Sequence, residues 1–285
     1  MQKMVNSNLS QNSNFIVGVG LRHTHFPYIL EGGEIHVDFF EAISENFINT
    51  RGRPFKILEK VRRDYPIALH GVSLSIASNS ELDYQYLSRL KELYSIIDPF
   101  ITSDHLCWTG HSHNNLHNLL PFAYTEASLD YVCDRVVKVQ EFLGRQMVFE
   151  NLSAYFTHRS STMTEIEFIK QLCKRAGCKQ LFDVNNIYVN SVNQKFELSY
   201  ALSQIDYSSV GQVHLAGFTD FGDYLFDTHS APVFPEVWEI FSDVSSKLPP
   251  IPILIEWDED IPEFPIVQNE ALKAKEVLKR VTYEA

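Results

Sequence analysis

The segments QMVFEN (residues 146–151) and QLFDVNN (residues 180–186) share one pattern, a short apolar run that ends in a carboxylate and asparagine. Near-continuous apolar runs of this length are typical of parallel strands that are covered on both faces. Similar runs recur on either side of these two, and longer segments of helical period separate them. The predicted strands are 16–21, 38–44, 67–74, 100–106, 146–151, 180–185, 210–216 and 251–257. The predicted helices are 55–65, 81–97, 126–143, 164–176, 198–205, 233–246 and 269–281.

This alternation predicts an α/β protein with a single (β/α)₈ TIM-type barrel. Ser80 and Thr164 are predicted helix N-caps, and Gly144 and Gly177 are predicted helix ends. The rival, a doubly wound open sheet, usually has a glycine-rich phosphate loop after its first strand. Gly18–Val19–Gly20 lies inside the strand and lacks the third glycine, so it predicts close backbone packing.

Composition limits the class of protein. The 285 residues carry a formal net charge of −12, which disfavours nucleic acid as a partner. We expect residues 15–285 to form one domain and residues 1–14, which are polar and rich in Asn and Ser, to form a disordered leader. No apolar run reaches the roughly 20 residues of a membrane helix, and residues 1–14 are not a signal peptide. The four cysteines show no metal-ligand pairing, so we expect reduced thiols in a cytoplasmic protein.

Side chains that can bind metal ions follow nearly every strand from the third to the eighth. In a parallel barrel all strand C-termini face one rim, so these side chains are expected to converge. The predicted ligands are His70, His105, Glu150, Asp183, Asn186, His214, Asp227, His229 and Glu256. Two carboxylates about 4 Å apart repel by about 4 kcal/mol at an effective dielectric constant of about 20. No Lys or Arg lies at these strand ends, so bound divalent cations explain the set best, and one ion is too few for it.

For any single predicted ligand, a purely structural role remains open. A lone His after a strand is more often a hydrogen-bonded rim residue, and Asp183 with Asn186 suits an Asx-type turn. The occurrence of His and carboxylate residues together at six successive strand ends favours a metal site. The other predicted residues, which would contact substrate or orient the ligands, are Arg22, His25, Glu41, Glu45, Asn46, Asp104, Asn151 and Asp258. His111, His113 and His117 predict a solvated or lid loop.

The order of these ligands resembles the endonuclease IV-like and xylose isomerase-like superfamily. The sequence motifs around these residues more closely resemble one branch of it, the multinuclear non-heme iron oxygenase family (DUF692, or UPF0276). The matching motifs are GVGLR (18–22), EAISENF (41–47), HGVSLSI (70–76), SDHLCW (103–108), ENLS (150–153), DVNNIYVN (183–190), HLAG (214–217), DTH (227–229) and IEWD (255–258). The resemblance covers about residues 16–281.

The resemblance implies an enzyme that uses two or three iron ions (Fe²⁺/Fe³⁺) and O₂ to modify a ribosomally made precursor peptide, often at cysteine. It also implies a partner protein that recruits the peptide. Zn or Mn could substitute for iron. Barrel adjacency then assigns three ligand sets. The sets are His70, His105 and Glu150; Glu150, Asp183, His214 and Glu256; and Asn186, Asp227 and His229.

One departure from the superfamily pattern concerns the third ion. Asn186 stands where endonuclease IV-like proteins have histidine, which weakens that position. The alternative functions are a metal-dependent phosphodiesterase of the endonuclease IV kind, a sugar isomerase, and a non-enzymatic barrel that binds metal or peptide.

Overall fold

A computed structural model describes residues 15–111 and 114–284. Its barrel strands are β1 (Ile16–Gly20), β2 (Phe39–Ile43), β3 (Ile67–Gly71), β4 (Ile101–His105), β7 (Val148–Glu150), β8 (Lys179–Asp183), β9 (Val210–Leu215) and β12 (Pro252–Ile255). Two short hairpins pair β5 (Trp108–His111) with β6 (Asn114–Leu120) and β10 (Thr219–Asp220) with β11 (Leu225–Phe226). The helices are α1 (Phe26–Leu30), α2 (Arg53–Asp64), α3 (Tyr84–Ile97), α4 (Glu126–Leu143), α5 (Glu165–Ala176), α6 (Val184–Gln194), α7 (Leu198–Gln204), α8 (Pro235–Ser245) and α9 (Phe264–Glu284).

The eight barrel strands are all parallel and close in the order β1-β12-β9-β8-β7-β4-β3-β2. The predicted TIM barrel is therefore confirmed, and each predicted strand overlaps an observed one. Residues 1–14, the predicted leader, lie outside the described residues, and so does His113 of the predicted His-rich loop.

Helix boundaries follow local capping chemistry. The side chain of Thr164 accepts a hydrogen bond from the Glu167 amide and starts α5, as predicted. Gly144 and Gly177 end α4 and α5 with positive φ angles of 70° and 68°. The prediction for Ser80 is wrong, because α3 begins later, where the Asp83 carboxylate accepts from two backbone amides of the first turn.

The barrel interior is apolar at the N-terminal end of the strands. Phe39, Ala68 and Leu254 form a separate buried cluster there, packed against Ile16 and Ile101. The prediction of close packing at the first strand is confirmed, since a Cβ on Gly18 would lie 2.6 Å from the Phe39 ring. This apolar plug closes one end of the barrel and leaves the other end for polar side chains.

Two further observations bear on the class of protein. Within the described parts of the chain, no helix combines the length and the apolar character needed to span a bilayer. The four cysteines are free thiols.

Candidate metal centre

The alternation of side chains along each strand carries the polar groups into the barrel mouth. Because residues i and i+2 of a strand face the same side, the residues two places after the apolar plug also point inward. In this way Phe39 leads to Glu41, Ala68 to His70, and Leu254 to Glu256. The other strands deliver His105, Glu150, Asp183 and His214, and all seven of these side chains are buried.

The first group of ligands consists of His70, His105 and Glu150. The Nε2 atoms of the two imidazoles lie 3.3 and 3.4 Å from the same carboxylate oxygen, Oε2 of Glu150. Nδ1 of His70 contacts the Ser103 hydroxyl at 2.8 Å, and Nδ1 of His105 contacts the Gly71 carbonyl at 3.1 Å. These contacts turn both Nε2 atoms towards Glu150.

The contacts of His105 show which of its ring nitrogens carries the proton. A backbone carbonyl can only accept, so Nδ1 of His105 carries the proton and Nε2 presents a lone pair. That lone pair faces a carboxylate oxygen that has no hydrogen-bond partner. Burial lowers the pKa of His105 to about 4 and raises that of Glu150 well above its ordinary value. In the metal-free protein the raised pKa leaves a proton on Glu150, and a cation bound between the donors would displace that proton.

The second group consists of Glu150, Asp183, His214 and Glu256, whose nearest ligand atoms all lie within 4.8 Å of one another. Nδ1 of His214 is 2.9 Å from Oε2 of Glu256 and 3.9 Å from Oε2 of Glu150. Its other nitrogen, Nε2, is 3.3 Å from Glu41. His214 therefore faces the ligand cluster through Nδ1, and Glu41 lies on the far side of the ring.

A third group forms around His229, in the loop after β11. Nδ1 of His229 lies 3.2 Å from Glu256 and 3.5 Å from Asp258, and Nε2 lies 2.6 Å from Oδ1 of Asp227. Of the expected third set, Asp227 meets His229. The side-chain nitrogen of Asn186 points to Glu150 at 3.4 Å, whereas its Oδ1 has no hydrogen-bond partner.

Backbone strain and close packing hold the loop that carries His229. His229 has a φ of 48°, which is uncommon for a residue with a side chain and recurs at functional sites. The loop also packs on Gly217, just after β9, where an added Cβ would lie 2.5 Å from the carbonyl oxygens of Ala231 and Pro232. The position of His229 is thus set by its neighbours.

Charge in the second and third groups is arranged differently from the first. Burial alone would lower the pKa of His214, but Glu41 and Glu256 raise it well above its ordinary value. Asp227 and Glu256 likewise outweigh burial and raise the pKa of His229. Burial would raise the pKa of Glu256, yet the two imidazoles hold it well below its ordinary value.

Asp183 performs two tasks with its two oxygens. Oδ1 accepts a hydrogen bond from the Asn186 amide at 2.6 Å and caps α6, which is the Asx-type contact that the sequence left open. Oδ2 is buried and has no hydrogen-bond partner. Burial, with a contribution from Asp227, raises the pKa of Asp183 to about 7 although the nearby imidazoles oppose this.

Unpartnered buried atoms provide a test of whether these residues fit metal ions. A buried polar atom without a hydrogen bond costs roughly 1–3 kcal/mol, more if charged, so such atoms are rare unless something else satisfies them. Several occur here, on residues that the sequence predicted as ligands: Nε2 of His70, Oε2 of Glu150, Oδ2 of Asp183 and Oδ1 of Asn186. Nε2 of His229 belongs with them, because it lies close to Asp227 but its angle does not suit a hydrogen bond. Imidazole and carboxylate donors of this kind suit Fe, Zn and Mn.

Four of the eight other predicted residues lie around this cluster. Glu41 accepts from the Gln212 amide at 2.6 Å beneath His214. Arg22 donates to the Trp257 carbonyl and forms an ion pair with Asp258. Asn151 clamps the backbone of Asp183, donating to its carbonyl and accepting from its amide, both at 3.0 Å.

Four predicted residues face away from the ligands. Glu45 accepts from the Val72 amide and the Tyr86 hydroxyl, and Asp104 accepts from the His105 amide. His25 contacts the Pro262 carbonyl and the Phe264 ring. Asn46 is exposed in a short turn after β2.

Sequence reasoning missed the small polar residues that hold the ligands. Ser103 contacts His70, Gln212 contacts Glu41, and Ser153 and Asn185 donate to the two oxygens of Asp227 at 2.7 and 2.8 Å. The period of two along β4 and β9 could have identified Ser103 and Gln212, since each lies two places before a predicted ligand. Nothing comparable marks Ser153, which lies in a loop.

The ligands open into a cavity of about 570 Å³. Its rim includes Tyr155 and Phe226, whose rings stack at 5.2 Å, and residues of the β5–β6 hairpin such as His117. Among the described residues that line this cavity there is no Lys or Arg. The cavity is large enough for an amino-acid side chain with its flanking backbone.

The sequence of the whole barrel matches one family model. Residues 16–279 match the model described as RiPP precursor modification enzyme MbnB/TglH/ChrH. The chain belongs to this family. UPF0276 proteins are similar over nearly their full length: one from Anaeromyxobacter sp. (strain Fw109-5) is 46% identical over 260 residues, covering 91% of this chain and 92% of that protein. Another, from Rhizorhabdus wittichii, is 43% identical over 270 residues, covering 94% and 97%.

Solved structures with a similar fold include sugar epimerases. An L-ribulose 3-epimerase matches with a TM-score of 0.60 at 12% identity, covering 95% of this chain and 96% of that one. A D-psicose 3-epimerase matches with a TM-score of 0.58 at 11% identity, covering 93% and 99%. At this identity the likeness shows that the MbnB/TglH/ChrH family member shares the barrel of these enzymes, and no more.

Proposed function

We propose that this chain is a multinuclear iron-dependent oxygenase that uses O₂ to modify a ribosomally made peptide at a cysteine. Membership of a family of RiPP precursor modification enzymes supports the peptide substrate. One observation carries the metal part of the proposal: the Nε2 atoms of His70 and His105 converge on a buried, unpartnered oxygen of Glu150. Such an arrangement calls for a metal ion or a proton between the donors.

Each ligand group would hold one ion. His70, His105 and Glu150 would hold the first, and Glu150 would bridge to a second held with Asp183, His214 and Glu256. For the third position we propose His229 and Asp227 with Asn186, and Glu256 and Asp258 lie close enough to Nδ1 of His229 to contribute. Iron bound here would supply the electrons and the open coordination positions that reaction with O₂ requires.

The protein's own residues would prepare the ligands and the substrate. Ser103 and the Gly71 carbonyl hold the rings of His70 and His105, which fixes the nitrogen that each presents. Ser153 and Asn185 hold Asp227 in the same way. The apolar plug below and the stacked Tyr155 and Phe226 above limit water around the reacting thiol.

Recruitment of the peptide completes the proposal. We propose that a partner protein delivers the precursor and that the reaction occurs in the cytoplasm. The rival phosphodiesterase function finds less support, because the described lining of the cavity offers no Lys or Arg to a phosphate. The sugar isomerase alternative is supported by fold alone.

Elemental analysis and Mössbauer spectroscopy of anaerobically purified protein test the metal part. We expect two or three irons per chain and uptake of O₂ when a cysteine-containing precursor peptide is added. Fewer than two irons per chain, with full activity on zinc, would falsify the oxygenase assignment. Turnover of a ketose with Mn²⁺, or cleavage of an abasic-site duplex by zinc-loaded protein, would establish one of the rivals instead.

A further inference from the structure

A second cavity of about 390 Å³ lies beside the mouth, between the loop that follows β7 and helices α6 and α7. We call it the flank groove. Its walls are mainly apolar and include Phe122, Phe156, Met163, Ile187 and Tyr200. Two of these rings are strongly exposed, Phe156 at 50% and Tyr200 at 65%. Exposed aromatic side chains around a concave surface are typical of a binding site.

One extended segment separates the flank groove from the metal-site cavity. Leu152, Ser153 and Tyr155 line the cavity, whereas Ala154 and Phe156 line the flank groove. This segment is a wall only one chain thick, and neighbouring strands in proteins lie about 4.8 Å apart. A peptide bound in the cavity can therefore cross the wall within one or two residues.

Side chains of α5 and α6 hold this wall in place. Asn190 accepts from the Ala154 amide at 2.7 Å and donates to the Leu152 carbonyl at 2.6 Å. Gln194 donates to the Ala154 carbonyl at 2.8 Å, and Glu165 accepts from the Leu152 amide at 3.2 Å. The flank groove is thus formed before any ligand binds, which reduces the entropic cost of binding.

The charge of the flank groove is one-sided. Its described lining residues include the carboxylates Glu165 and Glu197 and no Lys or Arg. Glu165 is half-buried, and its Oε1 accepts from the Tyr124 hydroxyl at 3.0 Å. Burial raises the pKa of Glu165 to about 7, so a nearby cation would stabilise the charged form. A ligand that carries an apolar group next to a positive charge complements this lining.

We infer that the flank groove binds the segment of the substrate peptide next to the modified residue, with an apolar side chain among the aromatic rings and a Lys or Arg beside Glu165. This inference rests on the proposed function, since it assumes that the residue to be modified enters the metal-site cavity. It adds a sequence requirement to the substrate, an aromatic or aliphatic residue and a basic residue close to the target cysteine.

Fluorescence polarisation with short labelled cysteine peptides tests the inference. The probe set varies one flanking position among Phe, Leu, Ser and Asp, and a second among Arg, Gln and Glu. With the intact protein we expect the peptide carrying Phe and Arg to bind at least about tenfold more tightly than the one carrying Ser and Glu. Equal binding of all members, or no binding of any, would overturn the inference.

Two variants test the apolar and the basic requirement separately. Phe156→Ser should abolish the preference for Phe, and Glu165→Gln should abolish the preference for Arg while keeping the Oε1 acceptor. Ile96→Ser is the matched control, because Ile96 is 42% exposed on α3 and does not line the flank groove. Circular dichroism and thermal melting of each variant report whether it folds.

Metal content distinguishes this inference from the proposed function. We expect the flank groove variants to retain the metal content of the unmodified protein. If peptide preferences respond to Phe156 and Glu165 but the protein binds no iron, the proposed function fails and the flank groove remains a peptide site. If iron is bound and the preferences do not respond, or if Phe156→Ser only changes the oligomeric state, the inference fails.

Discussion

The two sides of the metal centre use the same residue types with opposite protonation. On the side of His70 and His105, two imidazoles share the single carboxylate of Glu150, and burial favours neutral rings. On the side of His214 and His229, at least four carboxylates face two imidazoles, and both rings have raised pKa values. The ratio of carboxylate to imidazole therefore decides the charge of each histidine, and burial alone does not.

This comparison has a consequence for metal binding. Cations on the first side would meet neutral imidazoles and would displace only the proton that the raised pKa leaves on Glu150. Cations on the second side must displace protons from imidazolium groups. Four predictions, from the largest effect to the smallest, test this difference.

Glu150→Gln should have the largest effect, because Glu150 faces both sides. It lies 3.3 Å from His70 and 3.9 Å from His214, so loss of its charge should weaken binding on both sides by more than about a hundredfold. Metal analysis after gel filtration should find less than one ion per chain. Glu165→Gln, which changes a carboxyl outside the centre, is the control and should retain the full content. Full metal content in Glu150→Gln would contradict the bridging role.

His70→Ala and His229→Ala should each empty one side only. His70 contacts Glu150, whereas His229 contacts Asp227, Glu256 and Asp258. We expect each variant to lose about one ion per chain, with different Mössbauer components missing from the two. Identical spectra for both variants would mean that the two sides are not separate.

Glu41→Gln should weaken only the second side, by roughly 10–100-fold in metal affinity. Glu41 faces Nε2 of His214, and loss of its charge should leave the ring less firmly oriented and less basic. Competitive titration with a chelator measures the change. Glu45→Gln is the matched control, because Glu45 contacts Val72 and Tyr86 and no ligand. A loss on both sides, or in the control, would count against a positioning role.

Proton release on metal binding is the smallest effect, and it measures most directly how the histidines of the two sides differ in charge. The raised pKa values of His214 and His229 leave these rings protonated near pH 7 in metal-free protein, so metal binding there should release protons and should strengthen as pH rises. Calorimetry in buffers of different ionisation enthalpy counts the protons. His229→Ala should release fewer than His70→Ala. Equal release from the two would show that the imidazoles do not differ in charge.

The fold and the ligand set could be predicted from sequence because both depend on the regular alternation of apolar strands and helical segments. Apolar runs with helical segments between them indicate the barrel, and strand C-termini bring His70, His105, Glu150, His214 and Glu256 to one mouth. The first two ligand groups follow from strand adjacency, and the structure brings their residues together.

Contacts that depend on loops and on side-chain direction were beyond this reasoning. Val184 and Asn185, the first two residues of α6, were predicted as the end of a strand, yet the cap on Asp183 turns the chain into a helix there. The approach of Asp258 to His229 depends on loop paths that no period encodes, and the approach of Asn186 to Glu150 depends on the first turn of α6.

Gly217 has no side chain, and the loop that carries Asp227 and His229 rests directly against it. A methyl group at this position would collide with the carbonyls of Ala231 and Pro232 and push the loop outward. A genetic screen for loss of activity should therefore recover substitutions of Gly217 alongside those of the ligands themselves. If the centre binds metal as proposed, such mutants would be soluble and folded but poor in metal, and they would look like cofactor-supply defects to anyone scoring phenotype alone.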